Sequence, residues 1–193
     1  MTPTALFADL HREAIALGGA RLFTVSVQDN AAGLALRAYT SDPAAYPLSV
    51  PKPIQQDDWS RRVLIEGQPF IANTTAEFAP YFFDHAQINT LGCHSAANLP
   101  VVDGGQVLGT LNILDVEGHF TPDRVAALQA MIARRLPEIA AAMRSVPMGA
   151  SVFAARLARL RVRMVEAGVD LVALAPGAHL RWLAGVSPFA DER

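Results

Sequence analysis

The sequence has a single cysteine, Cys93, so no disulfide can form within the chain. That usage suits a reducing compartment, and a cytoplasmic location is expected. Charge is also scarce: 18% of the 193 residues are Asp, Glu, Lys or Arg, and the formal net charge is −2. A field this weak does not recruit nucleic acid. The densest basic stretch, Arg156, Arg159, Arg161 and Arg163, alternates with apolar residues and reads as the solvated face of a helix. Long apolar runs are missing, so no membrane span is expected. The first residues lack the basic region and apolar stretch of a signal peptide, and Met1 to Leu17 reads as an amphipathic helix instead. A serine-centred elbow, a phosphate-cradling glycine loop and an HExxH pair are all absent. No spacing matches a structural zinc site. From these absences no catalytic residues, no resident metal and no enzymatic activity are expected.

What is present is apolar: 51% of residues are hydrophobic, enough to bury a sizeable core. Apolar residues recur at helical spacing from Thr4 to Leu17, and Gly18-Gly19 stops the run. Arg21 to Gln28 and Leu34 to Thr40 read as two strands joined by turn residues. Four prolines between Ser41 and Pro53 exclude a long helix or a central strand there, leaving a loop that crosses the sheet face. Asp57 to Glu66 reads as a short helix capped by Asp57 or Asp58, and Pro69 to Asn73 as a short strand. Thr74 to Leu91 mixes loop and helix and is rich in aromatics. Ser95 to Val102 and Gln106 to Asp115 flank Asp103-Gly104-Gly105, the clearest hairpin signal in the chain. Thr121 to Met143 is a long helix, with Thr121 as cap, Pro122 at its first position and a kink expected at Pro137.

Ser145 to Ser151 is a linker by composition. Beyond it, Val152 to Ala167 reads as a helix ended by Gly168, Val169 to Ala175 as a buried parallel-type strand, and His179 to Ala184 as a helical turn. The order of elements in residues 1–145 predicts an α+β fold, with a mostly antiparallel sheet and terminal helices packed on one face.

That order resembles a GAF domain of the small stand-alone bacterial type. The motifs GGQVLGTLNILD, LGCHSAANLPV, PFIANT and FFDHAQI, in their order along the chain, carry the resemblance. It implies a ligand pocket between the sheet and the crossing segments, a regulatory role, and dimerisation through the terminal helices. Relatives take varied ligands, so the resemblance names an unidentified small molecule as partner and leaves any cofactor unknown. Tyr39, Tyr46, Trp59, Asn73, Tyr81, His85, Cys93, Ser95 and Asn112 map to pocket-lining segments, with His94 beside them. For the aromatics the competing reading is core packing. For Asn73, Asn98 and Asn112 it is an amide satisfied by backbone. Asn112 alternates with Leu111 and Ile113, which turns it away from the core. Cys93-His94 superficially suits bilin attachment, but the Asp-Ile-Pro triplet of bilin-binding relatives is missing. A GAF-type methionine sulfoxide reductase needs a second cysteine to resolve its disulfide.

The stretch RLARLRVRMVEAGVDLVALAPGAHLRWLAG resembles the start of the N-terminal domain of the creatinase/aminopeptidase P family, over about residues 153–193. It implies an incomplete α/β fragment, without the later metal-binding catalytic domain. The alternative function is then the regulatory head and N-terminal fragment of such a metallopeptidase, with a natural reading frame continuing past Arg193. A strand at 169–175 without neighbours leaves its backbone unpaired. It is therefore expected to be loosely held.

Overall fold

The computed structural model describes residues 1–49, 51–148, 160–175 and 177–184. Helix α1 (Pro3–Ala16) begins at Thr2, whose Oγ1 accepts from the Ala5 N–H. The strands are β1 (Leu22–Asp29), β2 (Leu34–Thr40), β3 (Lys52–Pro53), β4 (Phe70–Ala72), β5 (Ser95–Asp103) and β6 (Gln106–Asp115). They form one antiparallel sheet in the order β3-β2-β1-β6-β5-β4. The proline-rich crossing loop thus contributes a two-residue edge strand, where Pro53 can sit without breaking an inner ladder. Gly104 and Gly105 turn the β5–β6 hairpin, both at positive φ (+59° and +76°), the geometry of the hairpin turn that matches strand twist.

Alternation divides the strands between two layers. Phe23, Val25, Leu99, Val101, Leu111 and Ile113 point to one face, where they meet Phe7 and Leu10 of α1 and Met131, Ile139 and Met143 of α5 (Pro122–Ser145). Thr121 caps α5 through its Oγ1, and the helix continues past Pro137. Ion pairs from Arg135 to Asp9 and Glu13 (2.8 and 3.1 Å) tie α5 to α1. The other face meets a second apolar cluster that includes Tyr46, Val63, Leu64, Phe70, Phe78, Ile88 and Leu114. It is covered by the crossing loop and by three short helices, α2 (Asp58–Ser60), α3 (Thr75–Phe78) and α4 (His85–Thr90).

One expected helix is locally wider than anticipated. Asp57 caps α2, accepting from the Ser60 N–H at 2.6 Å, but from Arg61 to Ile65 the chain winds as a π-helix. The Gln68 N–H bonds back to Arg62 O, and Pro69 has no N–H to offer. The Leu64 carbonyl is therefore left without a helical donor.

The tail departs from the strand reading. Residues 160–167 are helical and end at Gly168 (φ +63°), where Gly168 N–H bonds to Val165 O and Val169 N–H to Met164 O, a glycine-closed helix terminus. The segment expected as a buried strand, 169–175, forms no strand, and Leu171 is 80% exposed. The apolar run has the composition of a central strand but, among the described residues, no neighbouring strand to complete its hydrogen bonds. The rest of the proposed helix 152–167 and residues 149–151 of the linker lie outside the described residues. Ala178–Ala184 is helical, as the expected turn there required.

Candidate ligand cavity

Between the sheet and the crossing segments lies a cavity of about 310 Å³. Its floor is the polar side of the central strands. Thr24 on β1 pairs with Asn112 on β6, which pairs with Asn98 on β5, so one cross-strand row carries three polar side chains. They form a chain: Trp59 Nε1–H donates to Asn98 Oδ1 (3.0 Å), Asn98 Nδ2 to Asn112 Oδ1 (2.8 Å), and Asn112 Nδ2 to Ser26 Oγ (3.2 Å) and Thr24 Oγ1 (3.3 Å). Each buried amide is thereby satisfied by side chains rather than backbone, and the indole of Trp59 is fixed over the sheet. Phe82 meets Trp59 edge-on at 6.1 Å and lines the cavity with Tyr81, Ile54 and Leu114.

One end of the cavity carries charge. Arg37 on β2 lies with its guanidinium carbon 5.0 Å from the Tyr46 ring centroid, and Tyr46 donates its hydroxyl to Asp84 Oδ2 at 2.8 Å. Burial lowers the Arg37 pKa, while the charges of Tyr46 and Asp84 push it back up. Burial, and then the bond to Asp84, raises the Tyr46 phenol well above its ordinary range. On the neighbouring strand, Gln28 Nε2 donates to Leu64 O (3.0 Å), closing the vacancy left by the π-helix, and to Asn30 Oδ1 (2.7 Å).

Of the nine sequence-derived site residues, the structure brings Tyr46, Trp59, Tyr81 and Asn112 to the cavity wall. The other five lie elsewhere. Tyr39 is on the opposite face, against Phe7, His11 and Phe23. The cause is a bulge: Ser26 pairs with Arg37 and Val25 with Tyr39, so Ala38 is inserted and Tyr39 falls on the face opposite to Arg37 instead of sharing it. Asn73 clasps the backbone of Phe120, donating to its carbonyl (3.1 Å) and accepting from its N–H (2.9 Å), which fixes the approach to α5. Ser95 Oγ donates to the carbonyls of Val116 and Asp115 at the end of the hairpin. His85 contacts its own turn, Nδ1 lying 2.9 Å from Phe82 O, and His94 Nδ1 lies 3.2 Å from Thr75 Oγ1. Cys93 is fully buried among Leu22, Ala96 and Leu114, and burial pushes its thiol up to about 11. Such a thiol is a small apolar group, not a nucleophile. Among the described residues no three His, Cys, Asp or Glu side chains converge as a metal site would require, and no helix is long and apolar enough to cross a membrane.

Arg37, Gln28 and Asp84 were missed as site residues. A signal existed for Arg37, a lone charge inside the apolar strand LALRAYT, but alternation puts it on one face with Tyr39, and the bulge that separates the two is invisible there.

An antiparallel sheet with helices closing one face and a part-polar cavity on the other defines a ligand-pocket α+β domain. A model of the family described as GAF domain matches residues 1–134, and the chain belongs to that family. Solved structures agree on the fold. The GAF domain/HD domain protein from Geobacter sulfurreducens superposes with a TM-score of 0.60 at 14% identity, covering 76% of this chain and 97% of that one. The GAF domain of a two-component sensor histidine kinase from Bacillus halodurans gives 0.57 at 14% identity, over 70% and 91%. The GAF domain of a phosphoenolpyruvate-protein phosphotransferase from Coxiella burnetii gives 0.51 at 17%, over 72% and 87%. Comparison with curated proteins gives no match. None of these findings supports the creatinase-like resemblance of the tail.

Proposed function

We propose that residues 1–145 form a regulatory module that binds a small molecule in the cavity above Asn98 and Asn112 and has no catalytic activity of its own. In this reading 146–151 is a linker and 152–193 an appended segment. The observation that carries the proposal is the asymmetry of the sheet. One face is closed by helices, while the other presents Thr24, Ser26, Asn98 and Asn112 beneath an open space. A cavity of about 310 Å³ falls at the lower end of the roughly 300–1,000 Å³ typical of ligand sites, which suits a metabolite rather than a large chromophore. GAF relatives occur in sensor proteins such as the histidine kinase above, and sensing of a cytoplasmic metabolite is the activity proposed.

Self-association through α1 and α5 belongs to the same reading. The outer side of α5 exposes Ala126, Ala130 and Ala133, small enough for close helix approach. Light scattering that finds only monomer at all concentrations removes this part. The binding proposal is tested by a thermal-shift screen of the full chain against small metabolites of varied class. A ligand at about 100 times its Kd adds about 2.7 kcal/mol and raises the melting temperature by several degrees. If no class of compound shifts it, the module reading fails.

A further inference from the structure

Two polar atoms of residues that line the cavity, Arg37 Nε and Gln28 Oε1, are buried without a hydrogen-bond partner among the described residues. Both residues line the cavity, and Gln28 is only 8% exposed. An orphaned buried group costs free energy, and a cavity wall is where a ligand can repay it. The orientation of each side chain is fixed by its other bonds. Gln28 uses both amide hydrogens, on Leu64 O and Asn30 Oδ1, so the free atom is an acceptor by necessity. Arg37 spends Nη1 on Pro47 O at 3.0 Å. Nη2 makes no hydrogen bond among the described residues. The Nε–Nη2 edge therefore presents two parallel donors with no acceptor, the geometry that a carboxylate fills in bidentate fashion.

The register sets the spacing. Gln28 pairs with Ala35 and Ser26 pairs with Arg37, so Gln28 and Arg37 are diagonal neighbours on one face. Diagonal neighbours lie about 7–8 Å apart, with their Cβ atoms somewhat closer. A ligand that serves both places an acceptor and a donor within a few bonds of each other. Charge narrows the choice further. Asp57 and Asp84 also line the cavity, against the single guanidinium of Arg37. Asp57 is occupied in capping α2 and Asp84 in accepting from Tyr46. Two carboxylates beside one cation disfavour phosphates and dicarboxylates about twice as strongly as a single negative charge, which the guanidinium can hold locally. The remaining wall, Trp59, Phe82, Ile54, Ile88 and Leu114, accepts an apolar body.

We propose that the cavity takes a small monocarboxylic acid with an apolar side chain and a hydrogen-bond donor beside the carboxylate, that is, an apolar 2-amino or 2-hydroxy acid, with its carboxylate on the Nε–Nη2 edge of Arg37 and its donor on Gln28 Oε1. The inference rests on the binding role proposed above and specifies its ligand.

Isothermal titration of the full chain with leucine, 2-hydroxy-4-methylpentanoate, 4-methylpentanoate, leucinamide and glutarate tests it. The 2-amino or 2-hydroxy acid is expected to bind. Removing the donor (4-methylpentanoate) or the carboxylate (leucinamide) weakens binding by about 10- to 100-fold, the loss expected for a hydrogen bond to a charged group. Glutarate is expected not to bind. Arg37→Lys keeps the charge but loses the fork and weakens binding by about tenfold or more. Arg37→Met abolishes it, and circular dichroism verifies the fold of both. Binding that is unchanged in Arg37→Lys and Arg37→Met overturns the assignment, as does leucinamide or glutarate binding as tightly as the two acids. In those cases the cavity still binds ligands and only its chemistry has been misassigned. Silence from all five probes also overturns the assignment, and the wider thermal-shift screen then decides whether the cavity binds anything.

Discussion

The two faces of the sheet are built from the same strands and serve opposite ends. On the helix-covered face Phe23, Val25, Leu111 and Ile113 are fully buried against α1 and α5. On the cavity face the alternate positions are Thr24, Ser26, Thr110 and Asn112, and Asn112 donates to both Thr24 and Ser26. A sheet that needed only stability would fill both faces with apolar side chains. Here one face carries the cohesion, which lets the other hold polar groups around a void without unfolding the domain.

The contrast can be broken most severely where the faces share a backbone. Gly109 packs so tightly that a Cβ built on it would lie 2.0 Å from Ser26 O, at a φ of +156°. Gly109→Ala is expected to force β1 and β6 apart and cost about 4 kcal/mol or more, read as a lost or early urea transition. An alanine variant with the wild-type midpoint would show that this close approach is not required. Next come paired substitutions on the two faces. Phe7→Ala, within the helix-covered core, should cost about 3–5 kcal/mol. Asn112→Ala, which strands the Asn98 amide, should cost about 1–3 kcal/mol. Equal costs in chemical denaturation would erase the proposed division of labour.

A smaller effect follows from proton binding. The Cys93 thiol is raised from 9.0 to about 11, and burial also raises the phenols of Tyr46 and Tyr39. In the unfolded chain these groups ionise near their ordinary values, while the folded protein still holds their protons. The unfolded state then binds fewer protons, so stability is full below about pH 9 and falls as pH rises through about 9 to 11. Cys93→Ala should flatten part of that decline in urea midpoints measured across the range. A midpoint that rises with pH there would contradict the burial of these groups. The smallest effect is expected at Arg61, whose pairs with Asp58 and Glu66 are exposed. Arg61→Ala should change stability by about 0–1 kcal/mol, and a larger loss would reveal a role in holding the π-helix.

Much of this was legible in the residues. The hairpin announced itself through Asp103-Gly104-Gly105, the long helix through Thr121-Pro122, and the outward turn of Asn112 through its alternation with Leu111 and Ile113. The site was less legible. Trp59, Tyr46 and Tyr81 reached the cavity wall, but Asn73, Ser95, His85 and Cys93 resolved into local contacts that depend on which backbone groups lie nearby. Tyr39 and Arg37, which alternation puts on one face, were separated onto opposite faces by a single inserted residue. Val169 to Ala175 had strand composition and no strand, since pairing needs a neighbour that composition cannot supply.

By itself, then, the sequence determined the α+β order and the apolar face, because hydrophobic periodicity and turn chemistry act over a few residues. Only the tertiary structure decided which polar groups meet at the cavity. The Ala38 bulge, the bond from Gln28 to the Leu64 carbonyl and the unpaired edge of Arg37 all depend on contacts between segments separated in the chain. No local pattern encodes a hydrogen bond that is waiting for its partner.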